Sequence, residues 1–240
     1  MLLFARTLPG ITIVGIDCHI GSQLTTTAPF VDALRKVSAF VGRLAVAGIP
    51  IRYFDVGGGL GITYDAEQPP HPSDYAGEVR RVLHDCIAAF ACTGITLVFE
   101  PGRVLVGNAG VLLTRVLYLK ENEAKRFVVV DGAMNDLIRP SLYDAHHAIA
   151  PVIRDPAAAV ITADVVGPVC ESGDFFAQDR ALPLPARGDL LAVMSAGAYG
   201  FAMSSNYNSR PRAAEVLVDG DGYRVVRRRE TIDDLIRGEQ

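Results

Sequence analysis

The first hundred residues alternate between strand-like and helix-like segments, and this order constrains the fold more than any other feature. Short runs rich in β-branched and aromatic residues predict strands over residues 12–18, 51–56 and 95–99. Amphipathic segments between them predict helices over residues 29–47 and 73–90. Because strands joined by helical crossovers pair in parallel, this part of the chain predicts an α/β fold with a parallel sheet.

The sequence also predicts where these helices end and which strand is buried. Gly48 follows the first helix and is predicted to cap it, and Ser73 is predicted to cap the start of the second. The third strand, residues 95–99, is almost wholly apolar. Such a run is typical of a strand that is buried on both faces of a sheet.

The pattern changes near residue 105, after which nearly all predicted elements are strands. Strands are predicted over residues 111–119, 126–131, 159–166, 189–194, 213–218 and 223–228, and a short helix over 232–237. The sequence Asp-Gly-Asp-Gly at 219–222 is a strong hairpin signal. We therefore predict two domains, an α/β domain over residues 1–107 and a β domain over residues 108–240.

Composition excludes several classes of protein. Half of the 240 residues are hydrophobic, 21% are charged, and the net charge of −4 argues against nucleic acid or an anionic membrane as the main partner. The apolar opening is interrupted at Arg6 and Pro9, and no apolar run reaches the ~18 residues of a membrane helix. The four cysteines form no CxxC pair, so we expect reduced thiols and a cytoplasmic protein.

Three consecutive glycines, Gly57, Gly58 and Gly59, follow the second predicted strand. Glycine is entropically costly, so such a run indicates an unusual backbone angle or a close approach. Backbone N–H groups that converge on a phosphate are one explanation, and a tight turn after a strand is the other. The glycine run alone leaves both explanations open.

The loops that follow the other two parallel strands favour the ligand site. His19-Ile20-Gly21-Ser22 follows the first strand, and Glu100-Pro101-Gly102-Arg103 follows the third. Ligands bind at the carboxyl edge of parallel sheets, where all three loops meet. The sequence therefore predicts a phosphate site built from backbone amides, a serine hydroxyl and an arginine.

Five motifs, taken in chain order, resemble those of the diaminopimelate decarboxylases: CHIGSQ at 18–23, DVGGGLGITY at 55–64, EPGR at 100–103, GPVCESGD at 167–174 and GAYGFAMSSNYNSRP at 197–211. The resemblance runs from about residue 11 to 238. It implies a pyridoxal 5′-phosphate (PLP) enzyme of the alanine-racemase-like fold type, a (β/α)8 barrel followed by a β domain. Residues 1–107 would then be part of the barrel.

The resemblance implies a role for each residue of the cofactor site. Gly57, Gly58 and Gly59 would contact the phosphate with their amides, together with Ser22, the Pro101-Gly102 turn, Arg103 and Tyr199. His19 would stack on the pyridine ring. Glu100 would face the ring nitrogen and keep it protonated, which lets the ring accept electrons.

Substrate and proton-transfer groups are implied mainly in the second domain. Arg139 and Tyr143 resemble the groups that hold the far carboxylate of the substrate, and the resemblance implies that Arg103 and Tyr199 bind the substrate as well. Glu171 would bind its distal ammonium group, and Cys170 resembles the acid that protonates the α-carbon. In this family the last two reach the neighbouring subunit, so a homodimer with shared active sites is implied.

Two features of the chain argue against a metal site and against a complete enzyme. His146 and His147 lack a carboxylate or cysteine at matching spacing, so we expect solvated or structural histidines and no metal. The family binds PLP covalently through a lysine early in the barrel, whereas the lysines here, Lys36, Lys120 and Lys125, stand on a helix or around a turn. We therefore expect this chain to be the C-terminal part of a decarboxylase and to be inactive alone. A truncation, a misplaced start or a real loss would explain the missing lysine segment.

Three functions remain open from the sequence. The first, which is the leading prediction, is decarboxylation of meso-diaminopimelate to L-lysine. The second is decarboxylation of ornithine, arginine or carboxynorspermidine by an enzyme of the same fold, although Arg139, Tyr143 and Glu171 favour a substrate with an amino-acid head at its far end. The third is a non-catalytic homologue that binds partner subunits, which the missing lysine favours and the Cys170-Glu171 motif disfavours.

Overall fold

The computed structural model describes residues 2–90 and 94–239, and only the backbone of residues 86–90. The chain divides into two compact units, Met1–Leu105 and Val106–Gln240. The assignment of residues 1–107 and 108–240 to separate domains stays a prediction.

In the first unit, helices alternate with three short strands. The elements are α1 (Leu2–Ala5), β1 (Gly15–Asp17), α2 (Ala28–Val46), β2 (Tyr53–Asp55), α3 (Pro72–Phe90) and β3 (Thr96–Val98), and α4 (Arg103–Val106) begins in this unit and ends at the first residue of the next. The strands form one sheet in the order β1-β2-β3, and both pairs are parallel. This confirms the predicted parallel pairing.

The sequence predicted the end of α2 correctly, but it did not predict the start of α3. Gly48 has φ +72°, and its N–H donates to Ala45 O at 3.0 Å, which confirms it as the residue that ends α2. The prediction for Ser73 is wrong, because α3 begins at Pro72 and Ser73 lies inside its first turn. The Ser73 amide donates instead to His71 Nδ1 at 3.3 Å, so His71 satisfies this helix end.

The helices pack on the sheet through their predicted apolar faces. Phe30 and Leu34 of α2 join Val79 and Val82 of α3 in one core cluster with Phe54 of β2. The expectation that the third strand is buried on both faces is wrong. Leu97 is 36% exposed and neighbouring Phe99 41%, because β3 is an edge strand that pairs only with β2 among the described residues.

The second unit is built mainly from strands. They are β4 (Leu112–Glu121), β5 (Arg126–Val130), β6 (Ile149–Pro151), β7 (Val160–Val166), β8 (Phe175–Pro183), β9 (Leu190–Val193), β10 (Glu215–Asp219) and β11 (Gly222–Arg227). Its helices are α5 (Arg139–Tyr143) and α6 (Ile232–Ile236), with 3₁₀ turns at Gly107–Ala109, Phe201–Met203 and Tyr207–Ser209. Strands β4 to β9 form a mixed sheet in the order β6-β9-β4-β5-β7-β8 around an apolar core.

Two strands of this sheet, β6 and β8, were not predicted. Strand β6 is only three residues long and contains Pro151. Strand β8 carries Asp179 with φ +46° in its middle, and the charged pair Asp179-Arg180 interrupts its apolar alternation. Neither run carries a recognisable β pattern, so long-range pairing with β9 and β7 decides their structure.

The remaining strands form the predicted hairpin. In the β10–β11 pair Asp219 is opposite Gly222, and Gly220 adopts φ +56°, which confirms the turn. Cys18 and Cys170 are free thiols, whereas the Cys86 and Cys92 side chains lie outside the described residues. Among the described helices, none combines the length and the apolarity that a membrane span requires.

Candidate active site

The loops after β1, β2 and β3 meet at one edge of the parallel sheet through backbone hydrogen bonds. The Cys18 amide donates to Asp55 O at 3.2 Å, and the Val56 amide donates to Val98 O at 3.0 Å. One residue further on, the Glu100 amide donates to Gly57 O at 3.0 Å. The three predicted loops therefore extend the sheet rather than turning away from it.

Each of the three glycines faces a different backbone carbonyl group at this edge. A Cβ atom on Gly58 would lie 2.3 Å from Glu100 O, and one on Gly59 would lie 2.2 Å from Gly21 O. On Gly57 it would lie 2.8 Å from the carbonyl oxygen of Cys18. Gly57 and Gly59 also have φ of +70° and +104°, in the left-handed region that favours glycine. Close packing between loops therefore requires glycine at all three positions.

The amides of the glycine run differ in what they can bind. Gly57 N donates to Asp55 Oδ1 at 2.9 Å, and Gly58 N donates to His19 Nδ1 at 3.3 Å. The Gly59 N–H has no hydrogen-bond acceptor among the described residues. Because His19 Nδ1 accepts a hydrogen bond, the ring proton of the neutral imidazole lies on Nε2. Of the three predicted amide donors, Gly59 is the one that is available without exchanging a partner.

Arg103 brings its guanidinium group to the same edge. Its Nη2 donates to Ser22 Oγ at 3.0 Å, which joins two residues predicted for the phosphate site. Its Nη1 donates to the hydroxyl of Tyr64, a buried residue that sequence analysis missed. Tyr64 stands in the DVGGGLGITY motif, so its motif position was the available signal.

Three carboxylates gather at this edge as well. Oxygen atoms of Asp17, Asp55 and Glu100 lie within 4.8 Å of one another. Only Glu100 was predicted as a site residue. Asp17 and Asp55 are the last residues of β1 and β2, and that position was a signal for both. The edge therefore carries negative charge beside the cationic Arg103.

The predicted proton donor lies on a well-held loop of the second unit. Cys170 and Glu171 are exposed on the loop of residues 167–174. Buried Asp174 holds this loop, because its carboxylate accepts Val169 N at 2.6 Å and Met134 N at 2.7 Å. A Cβ atom on Gly167 would lie 2.5 Å from the Asp174 carboxylate, so the loop needs glycine there.

Arg139 and Tyr143 begin and end helix α5 but lie in different environments. Arg139 is only 6% exposed, and its Nη1 lies 3.0 Å from His147 Nε2. Since a guanidinium group can only donate, Nε2 accepts, and His147 Nδ1 donates to Met194 O at 2.8 Å. His147 is thus a buried, hydrogen-bonded residue, as the structural interpretation predicted. Tyr143 is 61% exposed.

Tyr199 stands on a loop that is packed tightly within the second unit. It is 41% exposed and has φ +59°, an unusual value for a residue with a side chain. Neighbouring Gly197 donates its N–H to Gly107 O at 3.1 Å, and a Cβ atom on it would lie 1.9 Å from Val106 O. The backbone on either side of Tyr199, the predicted phosphate-binding residue, is therefore strongly restrained.

The lysines are engaged in ion pairs or stand on a strand. Lys36 contacts Asp32 at 2.7 Å on α2, and Lys120 belongs to β4. Lys125 contacts Asp164 at 3.0 Å and Asp179 at 3.2 Å. Hydrogen bonds to Asp164 and then Asp179 raise the pKa of Lys125. None of the three follows a parallel strand of the first unit.

The residues of the first unit fit PLP on chemical grounds. PLP carries a phosphate at one end and a pyridine nitrogen, which is cationic when protonated, on its ring. The edge offers Arg103, Ser22 and the Gly59 amide to an anion, and the three carboxylates to a cation. A side chain at any of the three glycines would collide with a neighbouring loop.

Comparison with known proteins gives the same family along most of the chain. Residues 12–197 match the family described as "Pyridoxal-dependent decarboxylase, C-terminal sheet domain". The chain is similar to the diaminopimelate decarboxylase of Pseudomonas aeruginosa, with 57% identity over 235 residues, 98% of this chain and 54% of the relative. It is 52% identical over 231 residues to that of Vibrio cholerae, covering 96% of this chain and 54% of the relative.

A solved structure extends the similarity to three dimensions. The diaminopimelate decarboxylase of Helicobacter pylori, complexed with L-lysine, superimposes with a TM-score of 0.87 at 43% identity, over 99% of this chain and 57% of that one. The chain thus spans about half the length of its relatives. These matches confirm the resemblance and the predicted fold class, part of a (β/α)8 barrel followed by a β domain. The chain belongs to the pyridoxal-dependent decarboxylases.

Proposed function

We propose that the protein containing this chain is a PLP-dependent carboxy-lyase that converts meso-diaminopimelate into L-lysine and CO2. The observation that carries this proposal is the edge of the parallel sheet, where anion-binding and cation-binding groups surround a glycine run that leaves no room for side chains. The names of the similar proteins and the L-lysine in one of their structures support this substrate and product.

Each residue of the first unit has a proposed task in holding the cofactor. Arg103, Ser22 and Gly59 N would bind the phosphate. Glu100, beside Asp17 and Asp55, would hold a proton on the ring nitrogen by its negative charge. His19 would pack against the ring in the orientation that Gly58 N fixes. Bound PLP supplies an electron-accepting ring for the electrons of the broken carbon–carbon bond.

Residues of the second unit would bind the substrate and move a proton. Glu171 would bind the distal ammonium group, and Arg139 and Tyr143 the distal carboxylate. Cys170 would deliver a proton from its Sγ to the α-carbon after CO2 has left. A thiol is acidic enough to act as a proton donor near neutral pH, whereas a serine hydroxyl is far too weak an acid. The assignment of Tyr199 to the phosphate stays a prediction.

Two further properties belong to the same proposal. A homodimer, in which Cys170 and Glu171 of one subunit serve the site of the other, is proposed from the family resemblance. The exposure of both side chains agrees with a role at such a boundary. A cytoplasmic location is proposed from the free Cys18 and Cys170 thiols and the composition.

The decisive experiment measures decarboxylation by the product of the longest reading frame that contains this chain, purified with PLP. We expect CO2 release and L-lysine formation from meso-diaminopimelate, with ornithine and arginine at least about 100-fold poorer in kcat/KM because they lack the far carboxylate. Cys170→Ser should lower kcat by ~10²-fold or more with little change in PLP binding. Turnover of ornithine in preference to meso-diaminopimelate, or a fully active Cys170→Ser variant, would contradict the proposal.

A further inference from the structure

Tyr207 contacts the predicted ammonium-binding carboxylate, although no motif role was assigned to it. Its hydroxyl donates a long hydrogen bond to Glu171 Oε2, at 3.3 Å. The other carboxylate oxygen, Glu171 Oε1, accepts Gly173 N at 3.2 Å. The Glu171 carboxylate is therefore held from two sides, by its own loop and by Tyr207.

The backbone around Tyr207 is shaped so that this side chain reaches the 167–174 loop. The Tyr207 N–H donates to Ser205 Oγ at 3.3 Å. The next two residues, Asn208 and Ser209, have φ of 58° and 53°, a left-handed conformation that side chains disfavour. Two such residues in succession are retained only where the surrounding structure fixes them, and strain of this kind is concentrated at functional sites.

That surrounding structure is a network that fastens residues 204–212 to the turn after β5. Arg210 donates from Nε to Asn135 Oδ1 at 2.9 Å and from Nη2 to Asp131 O at 2.6 Å. The Ser205 amide donates to Asn135 O at 2.9 Å. Tyr207 is therefore the exposed tip of a fastened segment, and its contact with Glu171 does not depend on a free loop.

The electrostatics of the pair keep the phenol in its donor form. The negative charge of Glu171, the hydrogen bond to it, partial burial and the neighbouring Cys170 together raise the pKa of Tyr207, with the charge of Glu171 as the largest cause. Both acting groups stand on the 167–174 loop. Because a phenolate beside a carboxylate is disfavoured, Tyr207 remains a hydrogen-bond donor well above neutral pH.

We propose that Tyr207 is a positioning residue of the active site, whose hydroxyl holds the Glu171 carboxylate in place for the cationic end of an amino-acid substrate. This inference rests on the proposed function, in which Glu171 binds that cation. It adds a residue to the recognition of the substrate rather than to the bond-breaking step, so it concerns KM more than kcat.

The first test is a mutant cycle in the PLP-loaded protein with meso-diaminopimelate as substrate. Tyr207→Phe removes only the hydroxyl and should raise KM about 3- to 10-fold, with kcat changed less than about 2-fold. In a Glu171→Ala background the same change should alter KM less than about 2-fold, because coupled residues are not additive. Tyr223→Phe, on the exposed β11, is the matched control and should leave both constants unchanged.

The second test reads the pair without substrate. The ultraviolet absorbance of phenolate is titrated in the wild type and in Tyr207→Phe, and the difference gives the titration of Tyr207. The pKa of Tyr207 should lie above that of an ordinary tyrosine, and Glu171→Ala should bring the pKa of Tyr207 back toward the ordinary value. A folded protein with this coupling but without decarboxylase activity would remove the proposed function and leave the pairing intact. An active enzyme whose KM is unchanged by Tyr207→Phe, and in which Glu171→Ala leaves the pKa of Tyr207 unchanged, would overturn the inference.

Discussion

The side chain of Gln23 forms both hydrogen bonds that a neighbouring strand would form with Ile62. Its Nε2 donates to Ile62 O at 2.6 Å, and its Oε1 accepts Ile62 N at 3.1 Å. Beside it, Leu24 and Leu60 form an isolated parallel bridge. One amide side chain thus joins the loop after β1 to the end of the glycine-rich loop after β2.

Loss of this amide should destabilise the protein. Gln23→Ala removes two hydrogen bonds, which we expect to lower the free energy of unfolding by about 1–3 kcal/mol. Gln68→Ala, an exposed position, is the control and should change it by less than about 0.5 kcal/mol. Urea denaturation of both variants checks the prediction, and equal midpoints would contradict it.

Alanine scanning of glycines should separate close packing from backbone entropy. Gly58→Ala places a methyl group against the Glu100 carbonyl, so we expect a loss of about 1–3 kcal/mol or more in stability and weaker PLP binding. A Cβ atom on Gly77, inside helix α3, would have no atom of the described residues outside this helix within 4 Å. Gly77→Ala should therefore raise the free energy of unfolding by about 0.5–1 kcal/mol. Thermal unfolding and PLP titration measure both effects, and an unaffected Gly58→Ala would refute the packing argument.

The lysines of this chain should not become linked to PLP. Lys125 is held by Asp164 and Asp179, and its raised pKa keeps the amine protonated and unreactive. After incubation of this chain with PLP and borohydride reduction, we expect no stoichiometric pyridoxyl label in peptide mass spectra. A full label on Lys36, Lys120 or Lys125 would show the opposite.

Acid stability should depend on Glu230. Hydrogen bonds from Arg212 N at 2.8 Å and Asn206 Nδ2 at 2.7 Å lower the pKa of Glu230. A lowered pKa contributes stability that is complete above the unfolded-state value, near 4.5, and is lost as the pH falls through the folded-state value. Glu230→Gln should therefore reduce the loss of stability measured by urea denaturation below pH 4.5, whereas exposed Glu123→Gln should not.

The proposed homodimer with shared active sites predicts complementation. We mix Cys170→Ser subunits of the full reading frame with subunits that lack the cofactor-binding lysine of the family. Random reassortment makes half of the dimers mixed, each with one intact site, so activity should recover to about a quarter of the wild-type value. If mixed dimers form, as native mass spectrometry would show, and no activity returns, Cys170 does not act across the interface.

Local sequence rules predicted the parts of the fold in which local and long-range preferences agree. The α2 end at Gly48 follows from a backbone angle that favours glycine. The start of α3 did not follow from Ser73, because Pro72 begins the helix and places Ser73 inside the first turn, where its N–H donates to His71 Nδ1. Strand β8 escaped prediction because its pairing with β7, rather than its own pattern, makes it a strand.

The candidate site shows the same limit at the level of side chains. Motifs predicted Arg103, Glu100 and Cys170 as site residues, since each stands in a distinctive run, and these roles stay predictions. The contact of Tyr207 with Glu171 joins residues 36 positions apart, and that of Arg139 with His147 depends on how α5 packs. Such contacts form only when the chain is folded, and no local sequence pattern encodes them.

The three glycines also decide how this barrel edge can be redesigned. Gly57 and Gly59 approach the first loop at different residues, and Gly58 approaches the third loop. Because a glycine has no side chain that could rearrange, the run cannot adjust to a change in the path of either neighbouring loop. A loop grafted from another barrel would have to reproduce the carbonyl positions of Cys18, Gly21 or Glu100. These loops should therefore be transplantable only as a set, with the glycine run that was shaped against them.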